Sequence, residues 1–138
     1  MSDAEVVRAY CNAWMAGDVM AVLTYYHDDL TLEWPGRHRF AGLHVGLQAS
    51  ADALLALQGA TDRQPVEIID LLEGSTTVAA TVRERWTRTV DESGNESGAE
   101  VLEHTRVLEF TVVDEQLRTC RVFESQQGAI DEWLGTDV

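Results

Sequence analysis

The sequence predicts an α+β domain with helices packed on one face of an antiparallel sheet. Two observations carry this. The apolar period is helical up to about Gln58, changes to two from Pro65, and turns helical again only after Ser125. The strand-like runs between Pro65 and Glu124 are joined by short connections, apart from one polar loop, as antiparallel neighbours are. A chain of 138 residues, 45% hydrophobic and 25% charged, can bury a real core as one soluble domain.

Taken in order, Ser2-Asp3-Ala4-Glu5 reads as a capping box. The helix behind it carries Val6, Val7, Tyr10, Ala13 and Trp14 on one face, and Gly17 ends it. Asp18 caps a second helix from Val19 to about Tyr26. Leu30, Leu32 and Trp34 alternate with Thr31 and Glu33 in a short strand that stops at Pro35-Gly36. A loop rich in Gly, His and Arg leads to a third helix, about Leu47 to Gln58, with Gly59 as its stop signal. Four strands follow: "VEIIDLLEG", "TTVAATVRERWTRTV", "AEVLEHTRVLEFTVV" and "QLRTCRVFE". The polar loop "DESGNESG" links the middle two, and Asp114-Glu115 is a tight turn between the last two. Ser125 reads as the cap of a closing helix anchored by Ile130, Trp133 and Leu134. With no repeat, linker or low-complexity segment, residues 1–138 read as a single domain.

Ten basic against 24 acidic residues give a formal charge of -14. Such a field repels phosphate backbones and anionic lipid, so neither nucleic acid nor a membrane is expected as a partner. The apolar runs are far shorter than a bilayer crossing needs. The opening "MSDAEVVRAY" lacks the basic and apolar regions of a secretory signal, so a cytoplasmic location is expected. Cys11 and Cys120 read as buried, reduced thiols. No Cys/His spacing matches a zinc site, and His38 and His44 are six apart across a loop, so no metal is expected.

The stretches "AYCNAWMAGDVMAVLTYYHDDLTLEWPG" and "RVLEFTVVDEQLRTCRVFES" resemble the opening and the closing hairpin of the nuclear-transport-factor-2-like (NTF2-like) superfold. Within it they resemble SnoaL-like and ketosteroid-isomerase-like proteins. The resemblance implies a cystatin-like cone, a curved antiparallel sheet wrapped around the N-terminal helices with a pocket between them. It also implies cofactor-independent chemistry and a homodimer through the outer sheet face. Tyr10 matches the family's oxyanion tyrosine. Trp34 stands where the general-base aspartate belongs, and Arg106 where the second, protonated aspartate belongs. Steroid isomerisation by those paired carboxylates is therefore rejected.

A polar cluster on the long strands is the alternative. Leu102, His104, Arg106, Leu108, Phe110 and Val112 share one face, and Val78, Ala80, Val82, Glu84 and Trp86 share another. Pairing Val90 with Glu100 would put Glu84 opposite Arg106 and Trp86 opposite His104. His104 could then shuttle a proton, Arg106 and Tyr10 could bind an oxyanion or carbonyl, and Glu84 could orient them or act as base. The competing reading is a structural Glu84–Arg106 ion pair with His104 hydrogen-bonded in the core. Trp34, Trp86, Trp14, His38 and Phe40 are expected to contact a ligand, although Trp14 also reads as packing and His38 as a solvated loop residue. In Gln116–Glu124 the inward set stays open between Cys120 and Glu124 on one side and Thr119, Arg121 and Phe123 on the other.

The expected function is a cofactor-independent enzyme acting by proton transfer on a small, largely apolar, oxygenated molecule. Isomerisation, cyclisation, dehydration and epoxide opening all fit. The alternatives are a non-catalytic ligand-binding module and a dimeric interaction domain with a collapsed pocket. An open pocket with His104 facing it would favour the enzyme. A core filled by Trp34 and Trp86 would favour collapse.

Overall fold

A computed structural model describes residues 1–89 and 99–135. The elements are α1 (Asp3–Met15), α2 (Val19–Thr24), β1 (Tyr26–Trp34), β2 (Gly42–Val45), α3 (Leu47–Thr61), β3 (Gln64–Glu73), β4 (Val78–Thr89), β5 (Ala99–Val113), β6 (Gln116–Glu124) and α4 (Gln127–Leu134). The strands form one sheet in the order β2-β1-β6-β5-β4-β3. All neighbours are antiparallel except β1 and β6, which run parallel. Helices α1 and α3 pack on the inner face of this curved sheet, so the expected α+β cone is the observed fold.

The capping box forms as read: Ser2 Oγ accepts from the Glu5 amide, and the Glu5 carboxylate accepts from the Ser2 amide. Val6, Val7, Tyr10 and Ala13 are buried by this helix. Its neighbour α2 is shorter than expected, because Tyr26 already belongs to β1. Gly59 does not stop α3. The helix runs on to Thr61 and ends on Asp62, which adopts the left-handed conformation (φ 43°). The Asp114-Glu115 turn is confirmed, with both residues at positive φ. Ser125 is not a helix cap; its hydroxyl donates to the Thr105 carbonyl at 2.6 Å, and Gln126 takes the cap position. The loop read at Asp91–Gly98 lies outside the described residues.

The departures in β3 and β6 have one cause, the β-bulge, which adds a residue to one strand and shifts the alternation behind it. In β3 two register shifts fall before Glu67 and before Asp70. The partly buried residues are consequently Pro65, Ile68 and Leu71, every third position. In β6 the register shifts between Leu117 and Thr119. Leu117 is buried before the shift; after it, Val122 is buried while Phe123 is exposed. This answers the question left open for that strand: Cys120, Val122 and Glu124 face inward. Strand β2, read from sequence as loop, pairs along the far edge of β1.

At one end the cone is sealed. The Arg37 amide donates to Asp131 Oδ1 (3.0 Å) and the Arg39 amide to the Gly135 carbonyl (2.8 Å), which docks α4 on the Pro35–Phe40 loop. Gly36 sits there at φ +98°, with Gln127 and Asp131 where a Cβ would go, so only glycine fits.

Candidate functional site

The β4–β5 register is two residues away from the expected one. Glu84 lies opposite His104, Val82 opposite Arg106, and Trp86 opposite Leu102. A slip of two keeps every side chain on its face. Glu84, Trp86, His104 and Arg106 are therefore all inward and buried; Glu84 meets His104 directly across the strands and Arg106 diagonally, and Trp86 meets His104 diagonally.

They form a ladder of alternating charge. Arg106 grips Glu124 with two donors, Nε to Oε1 at 3.0 Å and Nη2 to Oε2 at 2.6 Å. Its Nη1 donates to Glu84 Oε1 at 3.2 Å. The same oxygen accepts from Trp86 Nε1 at 3.0 Å and from Arg63 Nε at 2.8 Å. The order is Glu124, Arg106, Glu84, Arg63, with two charges of each sign. Burial alone would raise the Glu84 carboxyl, but Arg63 and Arg106 outweigh it and hold it down at about 2. Burial opposes the charge on Arg63 and Arg106 as well, and their carboxylates overcome it and raise both.

His104 stands beside this ladder. Its ring meets Trp86 edge-on at 4.5 Å between centroids, and Nδ1 is 3.9 Å from Glu124 Oε1. Neither ring nitrogen has a hydrogen-bond partner. Burial and then the Arg106 charge push its pKa below the usual histidine value, outweighing the two glutamates. His104 is thus a neutral, enclosed imidazole. Glu84 Oε2 also lacks a partner.

The open space lies elsewhere. A cavity of about 600 Å³ sits between the α1–α2 corner, α3 and the start of β3. Val19, Val22, Leu23, Leu54 and Leu55 contribute apolar wall, and Trp14, Tyr26, Gln58, Arg63 and Gln64 also line it. Arg63 stacks over the Trp14 ring at 4.8 Å. The Tyr26 hydroxyl shares a 2.9 Å hydrogen bond with that of Tyr10. Burial, the largest influence on each, pushes Tyr26 up to about 12 and Tyr10 well above its ordinary value. Gln58 Oε1 has no partner, and Trp14 Nε1 lies near the Tyr26 hydroxyl without a hydrogen bond of acceptable geometry. A second, water-sized void of about 10 Å³ is bordered by Tyr10, Trp14, Arg63 and Glu84. Trp14 and Arg63 border both spaces and form the partition between Glu84 and the large cavity.

A family model described as the SnoaL-like domain matches residues 7–133. The chain belongs to the SnoaL-like domain family. No curated protein matches it. Solved structures share its fold at low identity. A protein of unknown function with a cystatin-like fold from Xanthomonas campestris is 20% identical, with 98% of this chain and 99% of that one covered and a TM-score of 0.85. TerC, co-crystallised with polyporic acid, is 14% identical over 96% of this chain and 98% of its own, with a TM-score of 0.75. A candidate polyketide cyclase from Xanthomonas campestris pv. campestris is 19% identical over 96% and 93%, with a TM-score of 0.72.

This SnoaL-like domain brings together some of the residues its sequence singles out and separates others. Glu84, His104, Arg106 and Trp86 form one cluster, but none of them lines the large cavity. Tyr10 touches only the small void. Trp14 is a cavity wall. Trp34 is buried against Phe40 and His44 beneath the sealed end, away from that cavity. His38 is buried rather than solvated; its Nδ1 accepts from the Phe40 amide. Burial lowers its pKa, with Asp131 opposing. Arg63, Tyr26, Gln58 and Glu124 were not singled out as site residues. Arg63 had only a weak signal, an arginine in the short connection just before Gln64-Pro65.

Proposed function

We propose that this SnoaL-like domain takes up a small, largely apolar molecule bearing an oxygen, with that oxygen placed against Arg63 and Tyr26. One observation carries the reading: the large cavity has a mostly apolar lining, with Tyr26, Gln58, Arg63 and Gln64 as its polar residues, and the Arg63 side chain gives the protein only its Nε among the described residues. Ligand sites are built this way, as an apolar bowl with a few convergent polar groups. That TerC was co-crystallised with polyporic acid accords with a small organic ligand on this fold. Arg63 and Tyr26 can hold and polarise an oxygen, as donors aimed at developing negative charge do. No carboxylate or imidazole lines the cavity among the described residues.

A second reading, the acid–base enzyme, rests on the unpartnered Glu84 Oε2 and His104 nitrogens behind the Trp14–Arg63 partition. In that reading Arg63 swings aside to expose Glu84 as the base.

Calorimetric titration with 2-naphthol tests the binding reading. Wild type should bind it saturably. Ala51→Trp, which fills the cavity from α3, should abolish binding while leaving the urea midpoint in place. Absence of binding to wild type, or unaltered binding to Ala51→Trp, defeats the proposal. Exchange of the α-protons of 2-tetralone in D2O separates the two readings. Exchange faster than buffer that is lost in Glu84→Gln identifies the enzyme, and exchange at the buffer rate identifies a binder.

A further inference from the structure

We infer that the ligand oxygen received at Arg63 is ionised, so that the cavity selects a carboxylate on an apolar body over its neutral counterpart. This rests on the binding reading above and names its ligand class.

Three observations lead there. The first is the ladder itself. From Glu124 through Arg106 and Glu84 to Arg63 the charges alternate, and the member that reaches the cavity is a cation. The next position in the alternation, inside the cavity, suits an anion. The four ladder charges cancel, so the preference comes from the local fork and not from a surplus of charge.

The second is the state of that fork. The Arg63 side chain is only 8% exposed, and its one protein hydrogen bond among the described residues runs from Nε to Glu84. The Nη1 and Nη2 groups are left for something else. Two parallel guanidinium donors match the two oxygens of a carboxylate, in the bidentate geometry that makes such pairs strong.

The third is the count of donors and acceptors at that end of the cavity. The Arg63 Nη groups have no protein acceptor among the described residues, and Tyr26 stands on the same wall. No carboxylate lines the cavity among the described residues to meet them. A carboxylate offers about four lone-pair sites, against two for a carbonyl, so it satisfies this surplus more fully. The overall charge of -14 opposes an anion at a distance, but salt screens that field over roughly 8 Å, while the fork acts in direct contact.

A matched pair of probes tests the inference: 2-naphthoate and 2-naphthamide, titrated calorimetrically at neutral pH. Wild type should bind the naphthoate about tenfold more tightly, the difference between charged and neutral hydrogen bonding. Arg63→Met should erase the preference. If Arg63→Met does not fold, Arg63→Lys, which keeps the charge to pair with Glu84 but loses the fork, should shrink the preference instead. Equal or tighter binding of the naphthamide by wild type overturns the inference while leaving the cavity reading intact. A preference that survives in folded Arg63→Met, or stays full in Arg63→Lys, overturns it too, because the anion is then held elsewhere. Failure of wild type to bind either probe removes the cavity reading and the inference with it.

Discussion

Arg106 and Arg63 both reach Glu84 Oε1, yet they belong to different regions. Arg106 sits inside the sheet and commits Nε and Nη2 to Glu124 and Nη1 to Glu84. Arg63 stands at the cavity wall and gives Glu84 only its Nε. Every nitrogen of the first guanidinium is engaged by a carboxylate, and among the described residues only one of the three nitrogens of the second is. A buried charge in a conspicuous place on a strand is therefore a poor guide to a ligand site, because it exists only by being fully paired. The informative charge is the one whose pairing is incomplete where the packing leaves space.

The sharpest way to break this comparison is to remove the paired charge. Arg106→Leu leaves Glu124 in the core without its cation and Glu84 with Arg63 alone, and loss of one partner of a buried pair costs about 3–5 kcal/mol. Urea denaturation should show that loss. Arg106→Lys, which keeps a charge without the fork, should lie between the variant and wild type. A change below about 1 kcal/mol, the range of a surface pair, would mean that the ladder is solvated and that the contrast with Arg63 is false.

Acid should attack the same region in two steps. Glu84 titrates at about 2 in the folded protein, against an ordinary value of 4.5. The unfolded chain binds the extra proton between those values, so the Glu84 contribution is complete above about pH 4.5 and disappears as pH falls toward 2. That is a loss on the order of 3 kcal/mol. His104 acts earlier. Its folded pKa lies below 6.5, so the unfolded chain again takes the proton first, and stability begins to fall below about pH 6.5. His38, also lowered by burial, adds to that step. Urea midpoints at pH 7.5, 5.5, 4 and 3 should therefore decline in two stages, and His104→Leu should flatten part of the first. If His104→Leu loses as much stability between pH 7.5 and 5.5 as wild type, the imidazole is not held neutral.

How far the sequence could be read follows from which features survive a change of register. The inward faces of β4 and β5 were legible because a slip of two residues does not alter a period of two. The partner of Glu84 was not, because register depends on the hairpin connection. In β6 the tight-turn rule holds for the first pairs and places Leu117 inward; the bulge then reverses the alternation and turns Glu124 in. The key partner of Arg106 was hidden by one extra residue. In β3 two bulges give a period near three, which no strand template describes. Arg63 lies between the left-handed Asp62 and the first residue of β3, where no periodicity exists to be broken. Strand β2 has only four residues, and its apolar Leu43 and Val45 are exposed while His44 turns toward Trp34, so apolar alternation does not mark its inner face.

The mildest test uses the outer face of the same two strands. Arg85 donates to Glu103 Oε1 from Nε at 3.0 Å and from Nη2 at 2.7 Å, distances close to those between Arg106 and Glu124, though both donors share one oxygen. Arg83 approaches Glu103 at 3.8 Å and pairs with Glu67 at 3.1 Å. Arg85 directly follows Glu84, and Glu103 directly precedes His104, so the two sets differ only in the side of the sheet they face. All of these outer groups stand in water, where Coulomb attraction is weak and the paired side chains lose rotamer freedom. Glu103→Gln should leave the urea midpoint where it is at moderate salt, and raising the salt concentration should not distinguish it from wild type. A clear fall in the midpoint would show that hydrogen-bond geometry by itself governs the worth of these pairs. If the midpoint holds, burial is the deciding variable, and the same reasoning gives Arg63, buried yet incompletely paired, its distinct place in the fold.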